Sequence, residues 1–282
     1  MTRKRVVTAI LVAVGGLLIV GVVGVLAMPA IMHGLGLHPD YTGQRYLLPE
    51  GKALIIATNH DQLGEDGRET GVFGSELTAP YYEFLDARMQ VDVASIEGGE
   101  IPWDPWSLQR ALKTEYDDRY LADPVLQSKV EDSLSIHDLD LTEYDIVYLA
   151  GGWGAAYDLG YSEELGRKMS EAYAAGAVVG GICHGPLGLL LATDENGEPL
   201  VDGRRITAVT DKQVEELGIS ITPMHPEREL RAAGALFESE TAFQDIFANH
   251  VVVDGRIVTG QNQNAGPEVA NLMIKGAGGT RR

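Results

Sequence analysis

Cysteine is nearly absent: the 282 residues hold one, Cys183, which excludes an intramolecular disulfide and any metal site built from several thiolates. Cations are scarce too. Lysine and arginine number 22 against 41 aspartates and glutamates, a formal net charge of −19; without a basic patch to offset it, no nucleic-acid partner is expected. The histidines at positions 33, 38, 60, 137 and 250 fall in no metal-ligand spacing, and no dinucleotide-binding fingerprint occurs. Neither a metal nor a cofactor is therefore expected.

What the chain does have, at its start, is a long uncharged run. Val6 to Leu26 follows Arg3, Lys4 and Arg5 with 21 positions free of charge, and at ~1.5 Å per residue it matches the ~30 Å of a bilayer core. The run exceeds the usual apolar part of a cleavable signal peptide. It predicts a basic cytoplasmic tip at 1–5, a transmembrane anchor at 6–27 and a linker at 28–50, with the body at 51–276 outside the cytoplasm and a tail at 277–282. Val25, Leu26 and Ala27 offer a cleavage site as the alternative. The expected localisation is thus the cell membrane, single-pass, with the membrane itself a partner.

Beyond the linker, apolar runs alternate with helical patterns. Lys52–Thr58, Gln90–Ser95, Asp145–Ala150 and Val178–Ile182 read as strands, with Val251–Asp254 and Ile257–Thr259 as late ones. Ser75–Arg88, Ser162–Ala175, Asp211–Leu217, Glu227–Ala233 and a segment from Pro267 read as helices. Strands alternating with helices predict an α/β fold, a mostly parallel sheet sandwiched between helices. Ligands in such sheets collect at the carboxyl ends of the strands, where Gly151-Gly152 and Cys183 both fall.

Cys183 follows the run Val178–Ile182 and precedes Pro186 and a leucine-rich stretch, as a strand, a sharp turn and a helix would. Gly181 and Gly185 flank it two residues away on each side, the thiol form of a nucleophile elbow. A helix N-terminus facing the sulfur favours the thiolate, and the adjacent His184 is a candidate base. The alternative is a small buried hydrophobe. After Ala150, the backbone N–H groups of Gly151, Gly152, Trp153 and Gly154 are available to an oxyanion in the same crevice.

Five ordered blocks, Thr70–Pro80, Ala94–Leu108, Tyr144–Gly154, Ile182–Pro186 and Asp254–Asn262, resemble the ThiJ/PfpI superfamily. Within it they resemble the branch of glutathione-independent glyoxalases and heat-inducible chaperones, over roughly Lys52 to Ile274. The resemblance implies a flavodoxin-like fold related to class I glutamine amidotransferases. It also implies Cys183 as nucleophile with His184 beside it, and Glu76 as the acidic partner. Gly152 and His184 would supply oxyanion-binding amides, and Gly151 and Trp153 would line the substrate site. Most relatives carry histidine where this chain has Trp153, so an aromatic wall replaces a titratable group. For a third triad member the resemblance points to Asp211, with Glu215 as alternative; a capped helix start explains both equally well. Asp158 matches a recurrent aspartate or is simply a helix-start residue. His225-Pro226-Glu227 has the form of an amidotransferase His-x-Glu but lies much closer to the cysteine than in those enzymes.

The implied function is a cofactor-independent glyoxalase or deglycase acting on small carbonyls, converting 2-oxoaldehydes to 2-hydroxy acids through a Cys183 hemithioacetal. A homodimer is common among such proteins. Two alternatives stay open: a thiol amidase or amidotransferase-like hydrolase using His225, and a holdase chaperone or redox sensor built on an exposed thiolate.

Overall fold

In the computed structural model the described residues are 14–16, 19–24, 27, 31, 40–65, 67–109 and 112–282. The sheet forms six of its seven strands where the sequence has its apolar runs; the edge strand Leu134–Ser135 was not expected. Its strands are β1 (Lys52–Ala57), β2 (Gln90–Ser95), β3 (Leu134–Ser135), β4 (Ile146–Leu149), β5 (Val178–Ile182), β6 (Val251–Asp254) and β7 (Ile257–Gly260). They lie in the order β6-β7-β5-β4-β1-β2-β3, parallel throughout except for the β6–β7 hairpin at one edge. The central strands β1, β4 and β5 are buried on both faces, which is why they read as continuous apolar runs.

Alternate residues feed two cores. On one side Ala53, Ile55 and Ala57 pack with helices α1 (Gly74–Asp86) and α7 (Gly266–Gly276), through Leu77, Phe84, Val269 and Met273. On the other, Leu54 and Ile56 pack with α4 (Glu163–Ala175) through Leu165 and Met169. Helix α4 begins with the Ser162 hydroxyl accepting from the Leu165 N–H and ends at left-handed Gly176. Sheet and helices thus form the expected α/β sandwich.

Three further local features depart from the sequence reading. Between Leu112 and Asp145, where no helix was expected, lie α2 (Glu115–Leu121), opened by a Thr114–Asp117 capping box, and α3 (Pro124–Glu131), capped by Asp123. The segment after Cys183 is a five-residue 3-10 turn, Gly185–Leu189, and not an α-helix. Tyr46–Leu47 pairs antiparallel with Thr280–Arg281, which ties the expected linker to the expected tail. Two further helices, α5 (Asp211–Glu216) and α6 (Pro226–Ala232), fall where periodicity put them.

The membrane anchor requires correction. Among the described residues no helix is long and apolar enough to cross a membrane, so the transmembrane helix, the single-pass membrane localisation, the extracytoplasmic placement and the membrane as partner are withdrawn. Much of the 6–27 segment lies outside the described residues.

Candidate active site

Cys183 sits at the carboxyl end of β5 with φ of 56°, in the left-handed region that non-glycine residues rarely occupy. The turn is held on both sides of the residue. The Cys183 N–H donates to the Gly260 carbonyl at 3.0 Å, and the Cys183 carbonyl accepts from the Val209 N–H at 3.1 Å. The flanking glycines are a steric requirement, since a Cβ on either Gly181 or Gly185 would come within 2.1 Å of the Leu149 carbonyl oxygen. Such an elbow exists to aim one side chain out of the sheet.

Glu76 reaches the same point from the first turn of α1 and is 1% exposed. Its backbone is fixed by an unusual exchange. Pro80 lies inside α1 and has no N–H to give the carbonyl four residues back, and the buried Tyr148 hydroxyl donates to that Glu76 carbonyl instead, at 3.0 Å. The Glu76 side chain lies against Cys183 and the backbone of Gly151 and Gly152, although its Oε2 closes no hydrogen bond of regular geometry. Burial, above all, pushes its carboxyl up to about 8, and buried Asp104 adds to the rise. Burial likewise raises the Cys183 thiol, with Glu76 opposing its ionisation and the N–H groups of Gly152 and His184 favouring it. Two anions cannot share this enclosure, so the pair titrates as a unit, losing its first proton near pH 8.

The expectation of a thiolate stabilised by a long helix is therefore not met. A 3-10 turn supplies little dipole, and Cys183, 5% exposed, is dominated by burial. What faces it is local: the Gly152 and His184 amides. Gly152 has φ of 99°, and a Cβ there would lie 2.4 Å from the Gly71 carbonyl and the Phe73 nitrogen, so only glycine fits.

His184 Nδ1 is 3.4 Å from Cys183 Sγ, whereas its Nε2 is buried without a partner. Burial and nearby His225 lower its pKa to about 3, so the ring is neutral. Asp211 is not hydrogen-bonded to His184; its carboxylate lies 3.8 Å from His225 Nδ1 and 3.7 Å from Arg228, and Thr210 caps the helix in its place. Glu215 is exposed on the solvated face. His225 directs Nε2 to the Ser220 carbonyl at 3.2 Å, not to the sulfur. Asp158 accepts from the Thr58 hydroxyl and the Asn59 N–H, both at 2.8 Å, and so holds the loop after β1.

Trp153 is 7% exposed and forms a wall with Trp106, ring centres 6.4 Å apart. The sulfur opens into a cavity of about 320 Å³ that Glu76, Gly152 and Trp153 also line. Gly151 lies behind it against Glu76. Two residues here were not singled out from the sequence. Asp104 accepts from Trp106 N–H at 2.8 Å, and Gln213 borders the cavity from α5. Among the described residues no cluster of three or more His, Cys, Asp or Glu could hold a metal ion.

Residues 69–276 match the DJ-1/PfpI family. The Schizosaccharomyces pombe protein named glutathione-independent glyoxalase hsp3101 is 30% identical over 236 residues, which are 80% of this chain and 96% of that protein. The crystal structure of glyoxalase III from Candida albicans is similar with a TM-score of 0.73 at 27% identity, over 80% of this chain and 97% of that one. The Francisella tularensis Rapid Encystment Protein 24 KDa is similar with a TM-score of 0.75 at 32% identity, over 80% of this chain and 99% of that one.

Proposed function

Because the chain belongs to the DJ-1/PfpI family, the superfamily its motifs resembled, we propose that it is a glutathione-independent glyoxalase, converting 2-oxoaldehydes to 2-hydroxy acids without metal or nicotinamide. The names of its relatives support this reading. The observation that carries it is the juxtaposition, in one pocket, of an elbow cysteine with a buried carboxyl whose pKa is raised to about 8.

The chemistry runs from the pair holding one proton. Sulfur adds to the aldehyde carbon, the pair's proton passes to the aldehyde oxygen, and a hemithioacetal forms beside Glu76 carboxylate. Glu76 removes the hydrogen from the thioether-bearing carbon and returns it to the neighbouring carbon through an enediol, whose oxyanion the Gly152 and His184 amides hold. A proton moves between the two oxygens, giving a 2-hydroxy thioester. Water then cleaves the thioester, releasing the acid and the thiol. Neutral His184 positions the sulfur, and Trp153 with Trp106 bounds the substrate's far side.

Two of the alternatives, amide hydrolysis and peroxide sensing, fit the geometry less well. Amide hydrolysis needs a base at the departing amine, and His225 is committed elsewhere. A peroxide sensor needs an exposed, acidic thiol, whereas Cys183 is buried and its pKa is raised. Incubation with methylglyoxal should yield D-lactate, and Cys183→Ala should abolish it with the fold retained by circular dichroism. Full turnover by that variant would end the mechanism.

A further inference from the structure

The cavity in front of Cys183 is larger than the simplest oxoaldehyde requires. At about 320 Å³ it equals the liquid volume of about ten waters at ~30 Å³ each, and a three-carbon oxoaldehyde fills only part of it. Its walls are largely aromatic and aliphatic, with Phe73, Trp106, Leu112, Trp153 and Phe247 among them. Such a lining suits a flat apolar body.

Two buried side chains of this lining carry an oxygen without a partner, Glu76 of the catalytic pair and Gln213, which lies outside it. Gln213 is 2% exposed and its Oε1 is buried without a hydrogen-bond partner. Two of its neighbours around the cavity are occupied: Gln263 donates from Nε2 to the Ile246 carbonyl at 3.0 Å, and Glu216 accepts from the Asp245 N–H at 2.8 Å. Gln213 is also held in place. The Thr210 hydroxyl caps α5 by accepting from the Gln213 N–H at 3.0 Å, and itself donates to buried Asp245 at 2.8 Å. A buried amide oxygen left without a donor is destabilising. A substrate that pairs with it recovers that cost, and one that cannot is discriminated against.

We propose that Gln213 is a specificity-determining residue, and that the site takes 2-oxoaldehydes whose second carbon carries a flat apolar body ending in a hydroxyl. A hydroxyl both donates and accepts, so it satisfies either end of the amide. The inference rests on the glyoxalase reading for the reacting end of the substrate, and on the cavity alone for the far end.

The test compares kcat/KM for 4-hydroxyphenylglyoxal, phenylglyoxal and methylglyoxal in the wild type, Gln213→Met and Gln213→Asn, each checked for folding by circular dichroism. The wild type should prefer the hydroxylated aryl substrate over phenylglyoxal by about tenfold, the equivalent of 1.4 kcal/mol, and Gln213→Met should bring that ratio close to one. Gln213→Asn, which keeps the amide but withdraws it, should fall between. An unchanged ratio in Gln213→Met, or a wild-type preference for methylglyoxal over both aryl compounds, overturns the proposal.

A binding measurement separates this from the reaction itself. In Cys183→Ala protein, 4-hydroxymandelate and mandelate are titrated against the fluorescence of the cavity tryptophans. Tighter binding of the hydroxylated acid, lost in Gln213→Met, supports the role of Gln213 even if no oxoaldehyde is turned over, in which case it is the glyoxalase reading that fails. Equal affinity for the two acids refutes the role of Gln213 whatever the turnover.

Discussion

Replacing Tyr148 by phenylalanine should destabilise the protein through a residue that touches no substrate. Tyr148 is fully buried, and its hydroxyl donates at 3.0 Å to the Glu76 carbonyl, the group that Pro80 leaves without a helical donor. The change keeps the ring and removes one buried hydrogen bond, leaving an orphaned carbonyl, so the cost is about 1–3 kcal/mol. The diagnostic comparison is made with Pro80→Ala, which restores an N–H four residues after Glu76. In that background the carbonyl has a helical partner, and Tyr148→Phe should cost less by about 1 kcal/mol or more. Urea unfolding of the wild type, both single variants and the double variant gives the coupling directly. The activity of Tyr148→Phe should fall with its stability and recover in part in the double variant, because Glu76 is the group being held. Additivity within about 0.5 kcal/mol, the scatter expected of independent sites, would refute the reasoning.

Glu76→Gln should abolish turnover and change the pH dependence of stability. The folded carboxyl lies near 8, above its ordinary 4.5; its contribution is therefore complete below about pH 4.5 and is lost as pH rises towards 8, so the variant should gain on the wild type by about 3 kcal/mol at pH 7. A difference in urea stability that stays flat between pH 4.5 and 8 would refute this. In the wild type, kcat/KM should rise with pH through about 8, as the pair gives up its first proton; a profile falling over that range would contradict the one-proton mechanism. Gly185→Ala, whose Cβ would meet the Leu149 carbonyl at 2.1 Å, should cost about 1–3 kcal/mol and most of the activity, measured by thermal melts alongside turnover; a variant as stable and active as wild type would show the elbow to be looser than described.

The parts legible in the sequence were those with a local cause. Val178–Ile182 announced a buried strand by composition, and Gly181 and Gly185 announced the tight turn, because both effects act within a few residues. Glu76 was reachable only through a resemblance between whole blocks, since nothing near it in the chain records that it meets Cys183. The partner of the carbonyl that Pro80 leaves without a helical donor is Tyr148, 68 positions on, a pairing that nothing local records. Asp104 lay inside the Ala94–Leu108 block without being singled out, and Gln213 had no signal; one gains its role from burial near Glu76, the other from a cavity built by residues distant in the chain. The 3-10 turn after the elbow escaped because Pro186 and its leucines suit either helix type at its first turn. The apolar run at 6–27 shows the limit of composition, which measures length and hydropathy without showing the helix they imply.

The solitude of Cys183 has a practical side. One chain carries one thiol, so the thiol content of any preparation is a direct count of reactive centres, with no second sulfur to subtract. Because Cys183 is only 5% exposed, reagents of graded size become a caliper for the cavity mouth. The rate at which each labels the protein reports how often, and how far, the entrance opens.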